Sequence, residues 1–306
     1  MLISVALCTR NRAASLDITL RQYFEQRFSG DYAHELIVVD NGSNDATREV
    51  IETCAVAHPQ VRYVHEAQSG LSHARNAALA AARGEIIVFT DDDVRPDPGW
   101  LDQIAAEFAS SPQLGMLGGR VLLAHGGLQK VSYQPSMERQ EFAFPASGSF
   151  VIGANMAFRR EVFGRVGGFD TRLGAGAWFA GAEEVDLFYR ALRAGYTQRY
   201  APNILVHHDH DRTQIEQVCH MEFSYGKGLS GHLVKHVLCG DGVALRRLVR
   251  LVLSQPARWR QHAGEDCEAA LRRRAQSRGV LLGLVAAPFA MWPRAEARAF
   301  AAPGAR

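Results

Sequence analysis

Three consecutive carboxylates, Asp91, Asp92 and Asp93, follow directly on the run Gly84-Glu-Ile-Ile-Val-Phe-Thr90. Side by side they repel one another, so the cluster needs a counter-charge. A divalent cation is a natural one. An oxygen-rich site suits Mg2+ or Mn2+, and such an ion would in turn hold the phosphates of a nucleotide. The plain alternative is a solvated acidic turn, because the stretch Asp-Asp-Asp-Val-Arg-Pro-Asp-Pro-Gly also carries turn formers. Further on, Leu205-Val-His207-His208-Asp-His210 places three histidines within four residues, and imidazole is a reasonable ligand for Mn2+. In an extended segment, alternation puts His208 and His210 on one face and His207 on the other. Solvated loop histidines are the alternative here.

The elements that must position these groups follow from the spacing of apolar residues. Ile86–Phe89 is short, β-branched and aromatic, as a strand buried on both faces would be, and it delivers the acids at its carboxyl end. Before it come Ile3–Cys8, His34–Asp40 and Val61–His65, each read as a strand. Between them lie a helix with Leu16, Leu20 and Phe24 that Ser15 could cap, a helix over about 46–57, and an Ala-rich helix over 69–83. Strands alternating with helices at this spacing predict an α/β fold with a doubly wound, mostly parallel sheet, in which ligands bind at the carboxyl ends of the strands. A helix from Gly99 to Phe108 and a strand from Leu117 to Leu123 follow, and residues 125–149 read as a loop or insertion on the acceptor side. A strand-like run from Phe150 to Arg160, a short helix to Gly167 and a turn at Ala201-Pro-Asn203 precede the histidines. The predicted helix 182–195 carries Glu183, Glu184 and Asp186 in its first turns and Arg190 and Arg193 in its last. That placement suits the helix dipole without any catalytic role.

No GxGxxG follows the first strand, which argues against a dinucleotide dehydrogenase. The five cysteines are odd in number and widely spaced with no CxxC pair, so neither a disulfide framework nor a zinc site is expected, and a reducing cytoplasmic setting fits. Charge is uneven. Residues 235–306 hold 13 Lys and Arg against five Asp and Glu, while residues 1–234 hold 21 against 27. Charge alone does not choose between nucleic acid and an anionic membrane surface as a partner for the basic end. Within that end, Phe223–Gly228 is read as a helix break. Val280–Trp292 would span about 20 Å as a helix, short of the roughly 30 Å hydrocarbon core, which suits an interfacial segment or a packed helix better than a membrane span.

Seven pieces, in order, resemble the family 2 glycosyltransferases, nucleotide-sugar-dependent inverting enzymes of the GT-A fold. They are Cys8-Thr-Arg-Asn-Arg12, Val38-Val-Asp-Asn-Gly-Ser-Asn-Asp45, Gly70-Leu-Ser-His-Ala-Arg-Asn76, Thr90-Asp-Asp-Asp-Val-Arg-Pro96, Gly153-Ala-Asn-Met-Ala-Phe158, Gly167-Gly-Phe-Asp170 and Gly181-Ala-Glu-Glu-Val-Asp-Leu187. The resemblance implies a GT-A-like catalytic domain over 1–212, with a helical, basic region over 213–306. It implies that Thr9, Asp40, Arg75, Asp91 and Asp92 contact the nucleotide, with Asp40 on the base. Asp93, Asp91 and His208 would hold Mn2+ or Mg2+, with His210 second to His208. Of the pair Glu183-Glu184, which stands where the family has Glu-Asp, the second member would be the general base, and the choice between the two stays open. Asp186 is expected on the helix surface or as an orienting acid. The implied partners are a nucleotide-diphosphate sugar, most often a UDP-sugar, and a glycan or lipid-linked acceptor, with an anionic membrane surface as a further partner and no nucleic acid. Rival functions are a sugar-1-phosphate nucleotidyltransferase, disfavoured because the loop after the first strand lacks glycines, and a non-catalytic nucleotide-binding or scaffold protein.

Overall fold

The structure is a computed structural model and describes residues 1–26, 28–126, 129–145, 151–260 and 266–292. The end of the 125–149 loop, the residue Phe150 and the chain's last residues lie outside the described part. The chain divides into two compact units, one of Met1–Phe169 with Leu187–Asp211 and the other of Asp170–Asp186 with Arg212–Arg306.

The first unit begins with three repeats of strand and helix: β1 (Leu2–Thr9), α1 (Ala13–Phe24), β2 (Ala33–Asp40), α2 (Thr47–Ala57), β3 (Val61–His65) and α3 (Leu71–Ala81). The chain continues through β4 (Ile86–Asp91), β5 (Val94–Pro96), α4 (Trp100–Ser110), β6 (Leu114–Leu123), β7 (Gln140–Phe142), β8 (Met156–Arg159), α5 (Arg160–Val166), α6 (Glu183–Arg193) and β9 (Thr197–His208). One sheet holds all nine strands in the order β3-β2-β1-β4-β8-β6-β9-β5, with β7 also on β9. Strands β1 to β4 are mutually parallel, whereas β8 runs antiparallel to both β4 and β6.

Alternation along β4 explains why it is continuously apolar. Ile86 and Val88 face a core containing Leu16, Leu20, Trp100 and Phe108, while Ile87 and Phe89 face a second core containing Ala74, Ala78, Phe158 and Phe188. A strand covered by helices on both faces has no solvent side on which to place a polar residue.

Three local expectations are corrected. Ser15 does not cap α1, whose N-cap is Arg12; its hydroxyl instead donates to the Asp92 carbonyl at 2.9 Å. The Ala201-Pro-Asn203 turn is absorbed into the twelve-residue β9, where the pairing with β6 shifts register between Gly119 and Arg120. The loop after Leu123 contributes the short strand β7.

The second unit contains α7 (Ile215–Leu238), α8 (Gly242–Trp259) and α9 (Cys267–Ala290). The predicted break at Phe223–Gly228 does not occur, since α7 runs unbroken through it. Its glycines serve packing instead. A Cβ at Gly226 would stand 2.1 Å from the Gln276 carbonyl oxygen, and one at Gly279 would stand 1.9 Å from that of Phe223. The backbones of α7 and α9 therefore meet where no side chain fits. Among the described residues no helix is long and apolar enough to cross a membrane. All five cysteine thiols are unbridged.

Candidate active site

Parallel pairing brings the ends of β1, β2 and β4 level. Thr9 pairs with Asp40 and Cys8 with Asp91, so the first unit's candidate residues gather at the carboxyl edge of the sheet. Strand β9 ends there too, with His208 paired to Val94 just after the acids. Asp93 Oδ1 lies 3.2 Å from His208 Nε2, and both side chains are almost wholly buried. One ligand atom each from Asp91, Asp93 and His208 lies within 4.8 Å of the others. Two carboxylates and an imidazole form a donor set that suits Mn2+, while Mg2+ would rest on the two carboxylates. Burial opposes a charged imidazolium at His208, yet the hydrogen bond and charge of Asp93, with Asp91 and the Ser132 backbone behind them, outweigh it and hold the ring above its ordinary pKa.

The three acids face different surroundings. Asp91 has the most exposed side chain, and its Oδ1 is 3.7 Å from Arg75. Asp92 turns inward: Thr9 Oγ1 donates to its Oδ2 at 2.7 Å, and Ser15 and Thr19 donate to its carbonyl. Burial lifts the Asp92 carboxyl to about 7, against the pull of Arg12 and Thr9. Asp40 is buried at the end of β2, where its Oδ1 accepts from Ser43 N at 2.8 Å and its Oδ2 from the Tyr63 hydroxyl at 3.3 Å. Arg75 is buried on α3 with its guanidinium 5.4 Å over the Phe169 ring. Gly153 makes room for it, since a Cβ there would stand 2.8 Å from Arg75 Nη2. His208 and His210 are both buried with their rings in edge contact, whereas His207 faces outward to Asp97 at 3.3 Å.

Glu183 and Glu184 open α6 and belong to the second unit. Glu183 is buried and Glu184 half-buried. Ala182 before them holds φ at +64°, a left-handed backbone that a non-glycine residue adopts only where its surroundings enforce it. Its carbonyl accepts the Asp186 amide at 2.9 Å, closing the first turn. The expectation of Asp186 on the helix surface is corrected, because it is completely buried. Its Oδ1 meets Lys235 Nζ at 2.6 Å, His236 Nε2 at 2.9 Å and His232 Nδ1 at 3.2 Å.

Some site residues were visible in the sequence only as motif letters. Arg12 places one guanidinium nitrogen 3.0 Å from Asp93 and the other 3.5 Å from Asp92, so a fixed cation stands beside the acids. Asn41 donates to the Glu66 and Gln68 carbonyls and accepts from Gly70 N, clipping the turn after β2 to the start of α3. Asn76 makes a two-way clip to Phe169, donating to its carbonyl and accepting from its amide. Asn155 accepts from Trp100 Nε1 and donates to the Arg120 and Ile204 carbonyls, pinning the register shift of β9. A glycine within two residues at the edge of an apolar run is the available signal for Asn41 and Asn155, Asn76 lacks it, and the partners of all three are distant in sequence.

Known proteins resemble the chain in fold and in sequence. The pre-mycofactocin glycosyltransferase of Mycobacterium tuberculosis is 30% identical over 245 residues, which is 72% of this chain and 50% of that protein. The chain thus spans half the length of that relative. Among solved structures, the mannosyltransferase PcManGT from Pyrobaculum calidifontis, in complex with GDP-Man and Mn2+, aligns over 94% of this chain and 87% of its own with TM-score 0.61 at 21% identity. S. aureus TarS 1–349 in complex with UDP aligns over 94% and 91% with TM-score 0.60 at 16% identity. These likenesses establish the α/β fold with its mixed, mostly parallel sheet as that of GT-A structures. The profile of Glycosyl transferase family 2 matches residues 4–167, more than half of the sequence, and the chain belongs to that family.

Proposed function

We propose that the protein transfers a sugar, with inversion, from a nucleoside-diphosphate donor to an acceptor hydroxyl, and that it does so with a divalent metal. The observation that carries this is the convergence of Asp91, Asp93 and His208 to within 4.8 Å at the edge of the sheet, among residues on α3 and the ends of β1 and β2. Asp91, Asp93 and His208 would hold Mn2+ or Mg2+, whose chemistry when bound is to neutralise the diphosphate of the leaving nucleotide. Asp40 would accept a hydrogen bond from the base, for which uridine is the first candidate. Arg75, fixed by Phe169 and the space at Gly153, would set a positive charge toward the phosphates. Thr9 and Asp92, joined by a 2.7 Å hydrogen bond, would contact the nucleotide together with Asp91.

Glu184 would accept the proton of the acceptor hydroxyl, with Glu183 as the alternative, since a base must be both basic and reachable and Glu183 is the more buried. The acceptor would be a glycan or a lipid-linked hydroxyl of polysaccharide or glycolipid assembly, met on the cytoplasmic side. The complexes of the two solved neighbours with GDP-Man and Mn2+ and with UDP support a nucleotide-sugar donor.

The test is thermal stabilisation of the full chain by UDP, GDP, ADP and CDP with and without Mn2+, because a ligand that binds only the native state raises Tm by mass action. One nucleotide should stabilise the protein in a Mn2+-dependent manner, and Asp93→Ala should abolish that dependence. Equal stabilisation of wild type and Asp93→Ala by nucleotide and Mn2+ would remove the metal from the proposal.

A further inference from the structure

Helix α8 turns an apolar stripe outward. Leu245, Val249, Val252, Pro256 and Trp259 recur at intervals of three and four, which places them on one side of the helix. All five are exposed, and Leu253 beside them is 73% exposed. The inward side is made by Ala244, Leu248 and Gln255, with Leu248 packed on the cluster of Leu173, Phe179 and Val234. Helix α9 repeats the pattern in its second half. Leu282, Val285 and Phe289 follow one another at helical spacing and lead to Trp292, with Val285 70% and Phe289 86% exposed, while Val280, Ala287 and Met291 are buried.

The two helices are neighbours in the same unit: Arg258 on α8 donates to Gln276 on α9, and Arg273 donates to the Arg260 carbonyl. The trailing end of α9 is fixed as well, since Arg172 donates to the Trp292 carbonyl at 3.0 Å. The stripes are therefore presented by a packed scaffold.

We infer that these two stripes form a surface that docks on an anionic lipid bilayer. What selects that occupant is the charge beside the apolar residues. Arg246 and Arg250 are exposed next to the stripe of α8, Arg260 is exposed at its end, and Arg278 is exposed one turn before Leu282 on α9. A second copy of this chain seated face to face would set these arginines against their own counterparts. Anionic headgroups instead meet them while Leu, Val, Phe and Trp side chains enter the boundary between headgroups and acyl chains, as amphipathic interfacial helices do. Apolar side chains exposed along helices that are packed on their other side suit attachment in the interface plane, and among the described residues no helix is long and apolar enough to cross a membrane. Neither stripe includes a residue placed in the donor site.

The experiment is co-sedimentation of the full chain with phosphatidylcholine vesicles and with vesicles containing 30% phosphatidylglycerol, at low and high salt. Wild type should partition to the anionic vesicles more than about tenfold better than to the neutral ones, and less so at 1 M salt, where charges beyond about 3 Å are screened. Two variants separate the contributions: Arg246→Glu with Arg250→Glu and Arg278→Glu, and Leu253→Ser with Val285→Ser and Phe289→Ser. Each should lose about tenfold or more of the anionic partitioning while keeping the wild-type Tm and nucleotide-induced stabilisation, because the replaced side chains are exposed. Wild type that fails to sediment with anionic vesicles at low salt overturns the proposal. So does a concentration-dependent dimer that the Leu253, Val285 and Phe289 variant converts to monomer without a change in lipid binding, which would make this face a contact between copies.

Discussion

Asp186 Oδ1 accepts a hydrogen bond from Lys235 Nζ at 2.6 Å, and Asp186 is completely buried. The same oxygen faces the rings of His232 and His236, one turn apart on α7, and Lys235 also reaches Asp170 Oδ2 at 3.0 Å. Asp170 is in turn held by Arg172 at 2.6 Å. One buried carboxylate thus fixes the first turn of α6 to three side chains of α7. Removing it takes away an acceptor that a buried ammonium and two buried imidazoles share, so Asp186→Ala should cost about 3 kcal/mol or more of unfolding free energy. Urea unfolding of the variant checks this, and a loss below about 1 kcal/mol would show that the network contributes little.

The same network predicts an acid-sensitive fold. Burial, only partly offset by Asp186, depresses His236 to about 4, and burial lowers His232 as well. In the unfolded chain both rings take up a proton near their ordinary pKa of about 6.5, so between there and about pH 4 the unfolded state binds more protons. The contribution of these two rings is complete above about pH 6.5 and is lost as pH falls through that window. His236 alone contributes at most about 3 kcal/mol to the loss. Asp92, raised to about 7, takes up its proton in the native state over the same range and acts in the opposite sense, so the readout is a difference: the wild-type urea midpoint minus that of His236→Gln should fall in order from pH 7.5 to 6 to 5. A difference that does not change with pH would place the proton uptake elsewhere.

Gly279→Ala should lower stability although it improves helix propensity. The added Cβ would stand 1.9 Å from the Phe223 carbonyl oxygen and 3.1 Å from Lys227 N, both backbone atoms that cannot swing aside. Separating α7 from α9 to admit it should cost about 1 to 3 kcal/mol. The thermal midpoint reports the change, and a rise, as propensity alone predicts, would mean that the two backbones do not meet this closely.

The α/β sheet was legible because buried parallel strands and their covering helices leave different periods in the sequence, as in Ile86–Phe89 against Leu16 and Leu20. The acids were legible because they end a buried strand at the sheet's carboxyl edge, and His208 because alternation sets it apart from His207. What stayed hidden depends on pairs far apart in the chain. Phe223–Gly228 reads as a break because glycine disfavours helix locally, and only the backbone of α9 opposite explains it. Asp186 reads as a surface acid until the three α7 side chains around it are known. Arg12 sits in a loop whose letters say nothing about Asp92 and Asp93, some eighty residues on. The twelve-residue β9 hides because Pro202 interrupts the apolar pattern at its register shift.

Glu184→Gln keeps size and removes basicity. Turnover should fall by about 100-fold or more, with donor binding little changed, because the amide cannot accept the acceptor's proton. Single-turnover assays with saturating donor measure this. The same loss in Glu183→Gln, with Glu184→Gln near normal, would transfer the role to the more buried member of the pair.

Arg75 and Gly153 should act as one unit. The guanidinium lies over Phe169 with its Nη2 3.7 Å from Asp91, and the missing Cβ at Gly153 leaves the space it occupies. Arg75→Lys keeps the charge but gives up the planar contact with Phe169, and the ammonium sits elsewhere. It should weaken nucleotide binding by about tenfold, a change of about 1.4 kcal/mol. Gly153→Ala should weaken it comparably by displacing the guanidinium. Once lysine replaces arginine, the alanine has little left to push, so the double variant should bind nucleotide about as well as either single one. Titration calorimetry on the four proteins closes the cycle. Fully additive losses would mean that Gly153 acts on the site through something other than Arg75.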